Sequence, residues 1–378
     1  MCGWFLALIL AVSPLIAQPK WRPDLSITPA GSDQVKAVTV SPKDHSVWVL
    51  TANLKVTPEV DELHRIDREG QGQRVIEISS GVPLERFESA IAATDDGEVF
   101  VVGWTKGRVH LVKIGASGET AWARPLGLDS LHALGLIAAP TGGVLLFGDG
   151  YRGAFAARID GSGRKLWTFE ADRQPLAALF SSGLALEDGS CVLVGNTWDT
   201  KQGNIGMGLG NTLLVKVDAE GKVVEQKTFL GRIATATRLR DGNIAVVDDP
   251  QSYAGAAGVV ASSFQDNAVY ATTFMRLQSW TPDLALSWSV RLPEFHIQFL
   301  PVSIAPAPHG GVVVLGSGRG FQFIASEYDA QGRLVWTTTD STRTWGIFSL
   351  GGSRDLFAVA HSVYDPDIRV ALSQFTLK

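Results

Sequence analysis

One degenerate unit repeats along the whole sequence, and this repeat limits the fold more than any other feature. The unit is clearest from Gly142 to Trp167, where the chain reads GGVLLFGDGYRGAFAARIDGSGRKLW. It contains an apolar run ending in a small residue, a polar loop, an alternating strand and a D-x-x-G turn that leads to tryptophan. Short apolar strands separated by Gly and Asp turns are typical of antiparallel β-structure.

The apolar run marks seven copies of the unit. It lies at 47–51, 99–103, 144–148, 191–195, 244–248, 312–316 and 356–360. The copies follow one another about every 45–65 residues, which is the period of a four-stranded propeller blade. The sequence therefore predicts an all-β fold, a seven-bladed β-propeller with four-stranded antiparallel blades.

The seventh copy is incomplete, because the chain ends after its third strand at 369–375. A strand-like segment without a repeat of its own, DLSIT, lies at 24–28 near the N-terminus. We expect this N-terminal strand to close the last blade by filling its outer place, which would cover an edge otherwise open to pairing with another chain. The alternative is a frayed N-terminal arm.

The N-terminus predicts export. Residues 1–17, MCGWFLALILAVSPLIA, have the apolar core of a secretory signal peptide and are short for a membrane span. We expect cleavage after Ala17, a single propeller domain over 18–378 with no membrane span, and a secreted or periplasmic location. No Lys or Arg precedes the apolar core and Leu15 is large for a cleavage site, so a retained anchor stays open. After cleavage, Cys191 would be the one remaining cysteine, and a single cysteine cannot form an intrachain disulfide.

Charge and motifs argue against several functional classes. The net charge is −5 and forms no basic stripe, so we expect no nucleic-acid partner. The histidines lack zinc spacing, and the chain has neither a nucleophile elbow nor a phosphate-binding loop. The carboxylate pairs at 248–249 and 365/367 are more typical of turns than of a glycosidase site. We therefore expect no metal, no cofactor and no catalytic residues.

The candidate binding site follows from an analogy with other propellers. They bind on the face where second-to-third-strand loops and blade connectors meet the central channel. Two of these loops are enlarged here, at 197–211 and 248–270. The ligand-binding candidates follow the apolar runs or begin inner strands: Trp104, Arg108, His132, Tyr151, Arg152, Trp198, Asp199, Asp249, Tyr253, Arg319, Trp345, His361 and Tyr364. The alternative is that these residues are ordinary solvated loop tips.

The repeat resembles those of bacterial exported propellers, including the PQQ-like repeat group. The resemblance covers nearly the whole mature chain and rests on the alternating third strand and the D-x-x-G-x-x-x-W turn, as at Asp160, Gly163 and Trp167. Quinone-dependent relatives use eight blades and an adjacent-cysteine pair or an equivalent ring-stacking group, whereas this chain has seven repeats and one internal cysteine. The resemblance therefore implies the non-catalytic branch, the scaffold and assembly propellers of the cell envelope.

Three functions remain open at this point. The first is a monomeric, exported propeller that binds a protein or carbohydrate through its loop face without catalysis. The second is a lyase or hydrolase that uses Asp199, Asp249, His132 or His361 at the channel mouth. The third is a purely structural envelope propeller. The sequence does not identify the ligand, the partner or the biological process.

Overall fold

The computed structural model describes most of the repeat framework. In the last sheet and at several strand ends, the structure describes the backbone but not the side chains. The described residues are 20–21, 25–26, 33–53, 60–70, 73–76, 84, 86–106, 108–129, 132–150, 153–171, 176–199, 210–249, 275–292, 303–317, 323–340, 348–353, 356–363 and 369–376. The signal-peptide prediction for 1–17 lies outside them. Within the described residues, we find no helix with the length and hydropathy that a bilayer crossing requires.

The described chain is built of 29 β-strands. Two short strands come first, β1 (Lys20–Trp21) and β2 (Leu25–Ser26). Blade 1 contains β3 (Asp33–Val40), β4 (Val47–Asn53), β5 (Val60–Ile66) and β6 (Gln73–Ile76). Blade 2 contains β7 (Arg86–Ala93), β8 (Val99–Thr105), β9 (Arg108–Ile114) and β10 (Thr120–Asp129). Blade 3 contains β11 (His132–Ala138), β12 (Val144–Gly150), β13 (Gly153–Ile159) and β14 (Lys165–Glu170).

The second half of the chain continues the same order. Blade 4 contains β15 (Leu176–Ala185), β16 (Cys191–Asp199), β17 (Gly210–Val217) and β18 (Val223–Leu230). Blade 5 contains β19 (Arg232–Arg238), β20 (Ile244–Asp249), β21 (Met275–Trp280) and β22 (Leu286–Leu292). Blade 6 contains β23 (Ser303–Pro306), β24 (Val312–Ser317), β25 (Phe323–Tyr328) and β26 (Leu334–Asp340). The last strands are β27 (Phe348–Ser353), β28 (Leu356–Val363) and β29 (Arg369–Thr376).

The D-x-x-G turn joins the third and fourth strands of a blade. In blade 3, the Asp160 carboxylate accepts hydrogen bonds from the backbone N–H groups of Ser162 and Arg164, at 3.0 and 2.9 Å. The N–H of Gly163 donates to the carbonyl of Asp160, and Gly163 has a φ of 85°, a conformation that glycine adopts without strain. The hydroxyl of Ser162, together with these backbone donors, lowers the pKa of Asp160 to about 2.

The tryptophan of the repeat packs on the turn of the next blade. A Cβ added at Gly221 would lie 2.8 Å from Cγ of Trp167, so only glycine leaves room for the ring there. In a further interface, the indole N–H of Trp288 donates to the carbonyl of Ala330 at 2.8 Å. The three glycine–tryptophan contacts of this kind are Gly163–Trp122, Gly221–Trp167 and Gly332–Trp288. The D-x-x-G-x-x-x-W spacing therefore links neighbouring blades.

The apolar core lies between blades. One buried cluster joins Phe100 and Leu111 of blade 2 to Leu146 and Phe155 of blade 3. Another joins blade 3 to blade 4, and a third joins blade 5 to blade 6. Each innermost strand contacts the innermost strand of the next blade, and β27 contacts both β23 and β3, so the described sheets close a ring. Burial of apolar surface between adjacent sheets is the main stabilising term in such a repeat architecture.

The structure shows six four-stranded blades, so the prediction of seven is wrong. The last sheet differs from these blades: it has five strands in the order β1-β29-β28-β27, with β2 also paired to β29. The reason is that the seventh repeat ends after its third strand, while its sequence landmarks still counted as a blade. The expected pairing of the N-terminus with the C-terminal strand is present, but it is split: Leu25 pairs with Leu372, and Trp21 with Phe375.

Candidate functional site

One face of the propeller collects the strand ends that carry the predicted site. Each blade has four antiparallel strands, an even number, so every innermost strand starts on the same face and every second strand ends there. We call this face, where second strands end and third strands begin, the loop face. The second and third strands of blade 2 meet closely there, since β8 ends at Thr105 and β9 begins at Arg108.

Seven of the thirteen predicted residues lie in described backbone, and all seven lie at this face. The second-strand residues pair with the first residues of the innermost strands: Trp104 with Arg86, Asp149 with the predicted His132, Asp199 with Leu176, Asp249 with Arg232, and His361 with Phe348. Trp198 precedes Asp199 in β16, and Arg108 begins β9. The other six predicted residues lie outside the described residues: Tyr151, Arg152, Tyr253, Arg319, Trp345 and Tyr364.

The described side chains among these residues differ in exposure. Arg108 is exposed. Trp104 is 9% exposed and belongs to the core cluster between blades 2 and 3, where it packs with Leu126 and Leu128. Asp249 is 5% exposed. Trp104 is therefore a packing residue, and the sequence alone could not separate it from an exposed aromatic because both follow an apolar run.

A buried polar network in blade 5 is centred on Asp248, whose partners Arg276 and Gln278 were not predicted from the sequence. Asp248 is 0% exposed and accepts two hydrogen bonds from Arg276, from Nε at 2.9 Å and from Nη2 at 2.5 Å. Nε2 of Gln278 also donates to Asp248, at 3.2 Å. Burial raises the pKa of Asp248, and the bonds from Arg276 and Gln278 oppose that rise. A buried carboxylate with three such donors is satisfied by its own fold.

This network extends to blade 4. The guanidinium carbon of Arg276 lies 5.8 Å from the centre of the Phe229 ring, which stacks on Trp280 at 5.0 Å. Gly231, between β18 and β19, has a φ of 141° and lies against the Asp248 carboxylate, where a Cβ would collide. The hydroxyl of Thr212 donates to the carbonyl of Gly231 at 2.9 Å. The carboxylate thus lies in the interface between blades 4 and 5.

Asp248 occupies a position that is glycine in four other blades. It pairs with Ile233, directly before a bulge in the innermost strand. The equivalent residues of blades 2, 3 and 4 also stand opposite the residue before such a bulge. The glycines at this place are Gly103, Gly148, Gly195 and Gly316. An acidic residue at a small-residue position was the sequence signal that could have identified the network.

A second polar network joins blades 1 and 2 near the same face. Nζ of Lys36 lies 2.7 Å from Asp61 and donates to the carbonyl of Phe87 at 3.0 Å. The N–H of Phe87 donates in turn to Asp61. Because Phe87 belongs to the innermost strand of blade 2, this network holds two blades together.

The described framework histidines are suited to packing. His64 is 2% exposed, and its Nε2 is hydrogen-bonded to Oγ1 of Thr51 at 3.1 Å and lies 3.4 Å from Glu62. Burial lowers the pKa of His64 to about 4, so it is neutral at pH 7. Burial and the charge of Arg108 also lower the pKa of His110. Within the described part of the chain, no group of three or more His, Cys, Asp or Glu side chains is placed to hold a metal ion.

Comparison with protein families shows which family the chain matches. The family described as outer membrane protein assembly factor BamB matches residues 40–297, more than half of the chain. No protein of curated function matches the sequence.

Solved structures include many similar folds. The β-propeller domain of the Trilobed protease from Pyrococcus furiosus is 8% identical over 93% of this chain and 97% of its own, with a TM-score of 0.55. BamB from Moraxella catarrhalis is 11% identical over 95% of this chain and 100% of its own, with a TM-score of 0.44. A protein of unknown function from Bacteroides caccae is 13% identical over 78% and 95%, with a TM-score of 0.48. At 8% identity, the Pyrococcus domain is similar to this chain in fold alone.

Proposed function

Because the chain belongs to the family of the outer membrane protein assembly factor BamB, we propose that it is a protein-binding scaffold of the cell envelope that takes part in outer membrane protein assembly. The family match over 40–297 is the observation that carries this proposal. It favours a protein partner over a carbohydrate, and a scaffold over a lyase or hydrolase. The proposed location is the envelope, reached by cleavage after residue 17, and the proposed state is a monomer.

The loop face is the proposed partner surface. In blade 4, β16 ends at Asp199 and β17 begins at Gly210; in blade 5, β20 ends at Asp249 and β21 begins at Met275. These long connections leave neighbouring blades on the same face. Functional residues concentrate in loops held by a rigid framework, so this pair of blades is where partner contacts are expected.

Photo-crosslinking in the organism that carries the gene tests the proposal. A photoreactive residue is introduced at Trp198 or Asp199 on the loop face. Matched controls carry it at Lys165 or Lys222, which are exposed and lie at the opposite ends of their sheets. We expect loop-face crosslinks to an outer membrane β-barrel protein or to a component of its assembly machinery, and none from the controls. Equal crosslinking from both faces, or only to proteins unrelated to the envelope, would overturn the proposal.

A deletion strain provides a second readout. If the protein assists outer membrane protein assembly, its loss should lower the amount of folded β-barrel proteins in the outer membrane. Heat-modifiability on gels distinguishes folded from unfolded barrels. Unchanged levels of folded barrels, together with no envelope crosslink, would leave the purely structural function as the better account.

A further inference from the structure

The network around Asp248 includes three of the four strand ends that bound the two long connections: the end of β20, the start of β21 and the start of β17. Asp248 lies at the end of β20, and Arg276, its cross-strand partner, lies at the start of β21. Both ends of the blade 5 connection are therefore joined by one ion pair. Thr212 lies at the start of β17, where the blade 4 connection returns to the sheet.

Gly231 connects blade 4 to blade 5, because it lies between the end of β18 and the start of β19. Its carbonyl accepts the hydroxyl of Thr212, and its Cα lies against the carboxylate of Asp248. Both Thr212 and Asp248 are 0% exposed; Thr212 is satisfied by Gly231, and Asp248, which packs on Gly231, is satisfied by Arg276 and Gln278. A buried polar group that loses its partner is costly, so a change at one end of this chain of contacts must be relieved by movement of the others.

We propose that Asp248 is a positioning residue that anchors the strand ends of blades 4 and 5 together, so that the two enlarged loops leave the propeller from one shared base. The carboxylate holds Arg276 across the blade 5 connection and fixes Gly231, which holds Thr212 at the blade 4 connection. The importance of this base for partner binding rests on the proposed function. The anchor itself is a property of the folded chain and is tested without a partner.

The charge and the packing around Asp248 favour an anchoring role over a chance substitution in the repeat. Four blades keep glycine at this position, so the fold does not require a carboxylate there. The Asp248 side chain fits because Gly231 has no Cβ and because Arg276 and Gln278 replace the water that the carboxylate loses. Asp248, Arg276 and Gln278 of blade 5 thus form one bonded set that packs on Gly231, at the base of the long blade 5 connection.

Hydrogen exchange of the full chain, read by mass spectrometry, tests the anchor. Asp248→Asn keeps the shape of the side chain and removes the charge that Arg276 neutralises. We expect the backbone amides at the start of β17 (Gly210 to Thr212) and at the start of β21 (Met275 and Arg276) to exchange about tenfold faster. Asp44→Asn is the matched control, because Asp44 pairs with Arg65 in an exposed ion pair at the opposite end of blade 1.

A second variant reads the coupling from the other end. Thr212→Val removes the hydroxyl that donates to Gly231 while keeping the size of the side chain. Because coupling between two sites is reciprocal, it should speed exchange at Asp248 and Arg276 as well as at Thr212. This variant also keeps the test decisive if Asp248→Asn does not fold.

The outcomes separate the anchor from the proposed function. If each variant changes exchange only in its own blade, or in neither blade, the shared anchor is wrong. If both blades respond but the loop face gives no envelope crosslink, the anchor stands and the proposed function fails. Loss of loop-face crosslinks in Thr212→Val, with the fold retained, would support both.

Discussion

Replacement of Gly221 by alanine measures the contact that links neighbouring blades. Gly221 has a φ of 88°, and a Cβ there would lie 2.8 Å from Cγ and 2.9 Å from Cβ of Trp167. A side chain at such a φ costs about 1–2 kcal/mol, of which about 0.4–1 kcal/mol is recovered because alanine restricts the unfolded chain. The forced contact with the ring adds about 1–3 kcal/mol. We therefore expect Gly221→Ala to lower the free energy of unfolding by about 1–4.6 kcal/mol, with a central value of about 3 kcal/mol.

Gly242 provides a matched control for the backbone cost. Its φ is 90°, its N–H donates to a carbonyl three residues earlier at 3.1 Å as that of Gly221 does, and a Cβ there meets nothing within 4 Å. Gly242→Ala should therefore lower the free energy of unfolding by only about 1 kcal/mol. Urea denaturation followed by tryptophan fluorescence gives both values, provided that the dependence on urea is unchanged.

The substitution Trp167→Ala completes a double-mutant cycle. It removes Cγ and Cδ2, two of the three Trp167 atoms nearest the new Cβ, so Gly221→Ala should cost less in this background than in the wild type and approach the cost of Gly242→Ala. Equal costs for the two glycine variants in the wild-type background would refute the reasoning. That result would mean that the D-x-x-G turn selects glycine for its backbone conformation and not for the tryptophan of the preceding blade.

Three further predictions concern the framework. Burial holds the pKa of His64 at about 4, below its unfolded value of about 6.5, so the unfolded chain binds more protons than the folded chain between these pH values. The free energy of unfolding should therefore fall by up to about 3 kcal/mol as the pH is lowered from 6.5 to 4. Melting temperatures measured against pH should show this fall, and a smaller one in His64→Gln. Arg158 is buried and donates to Val144, Ile159, Gly142 and Thr141, so Arg158→Met should cost about 3–5 kcal/mol in urea denaturation, whereas Arg164→Met, at an exposed site, should cost under about 0.5 kcal/mol. Removal of residues 18–28 takes β1 and β2 from β29, so the truncated chain should unfold at lower urea concentration and self-associate in sedimentation experiments; an unchanged midpoint would show that the ring closes without them.

The strands were predictable because the same pattern of apolar and turn residues recurs in every repeat. Each apolar run became a second strand and each alternating segment a third strand, since both need burial on the faces that meet the next blade. The number of four-stranded blades was not predictable, because a count of sequence landmarks treats a partial repeat as a complete blade. Whether β29 carries one partner strand or two short ones depends on long-range pairing of the chain ends, which has no local signal.

The position of the candidate residues in the fold was predictable, and the burial of their side chains was not. Placing candidates after the apolar runs or at the starts of innermost strands put Asp199, Asp249 and His132 at one face, because a period of four antiparallel strands preserves direction. Burial then distinguishes residues that occupy similar places after an apolar run: Trp104 packs in the core, while Arg108 is exposed. Arg276 and Gln278, the hydrogen-bond partners of Asp248, belong to a strand that begins at Met275, 27 residues after Asp248, and Gly231 packs on Asp248 from the connection to blade 4, so only the fold brings them together.

In blades 1 and 5 a buried polar residue of the second strand bonds to a polar residue of the third strand, and this pairing explains how the repeat tolerates Asp248. Asp248 bonds to Gln278, and in blade 1 the equivalent Thr51 bonds to His64, at the same offset of the ladder. In blades 2, 3 and 4 both places are small or apolar: Gly103 with Val112, Gly148 with Ala157 and Gly195 with Val215. A buried polar group at either place needs a partner, because a lone one would lose its bonds to water without replacement. In blade 6, where Gly316 holds the second-strand place, the buried Ser326 bonds to Thr337 of the fourth strand at 2.8 Å instead. Blade 5 adds Arg276 to its pair at the start of β21, where its long connection ends.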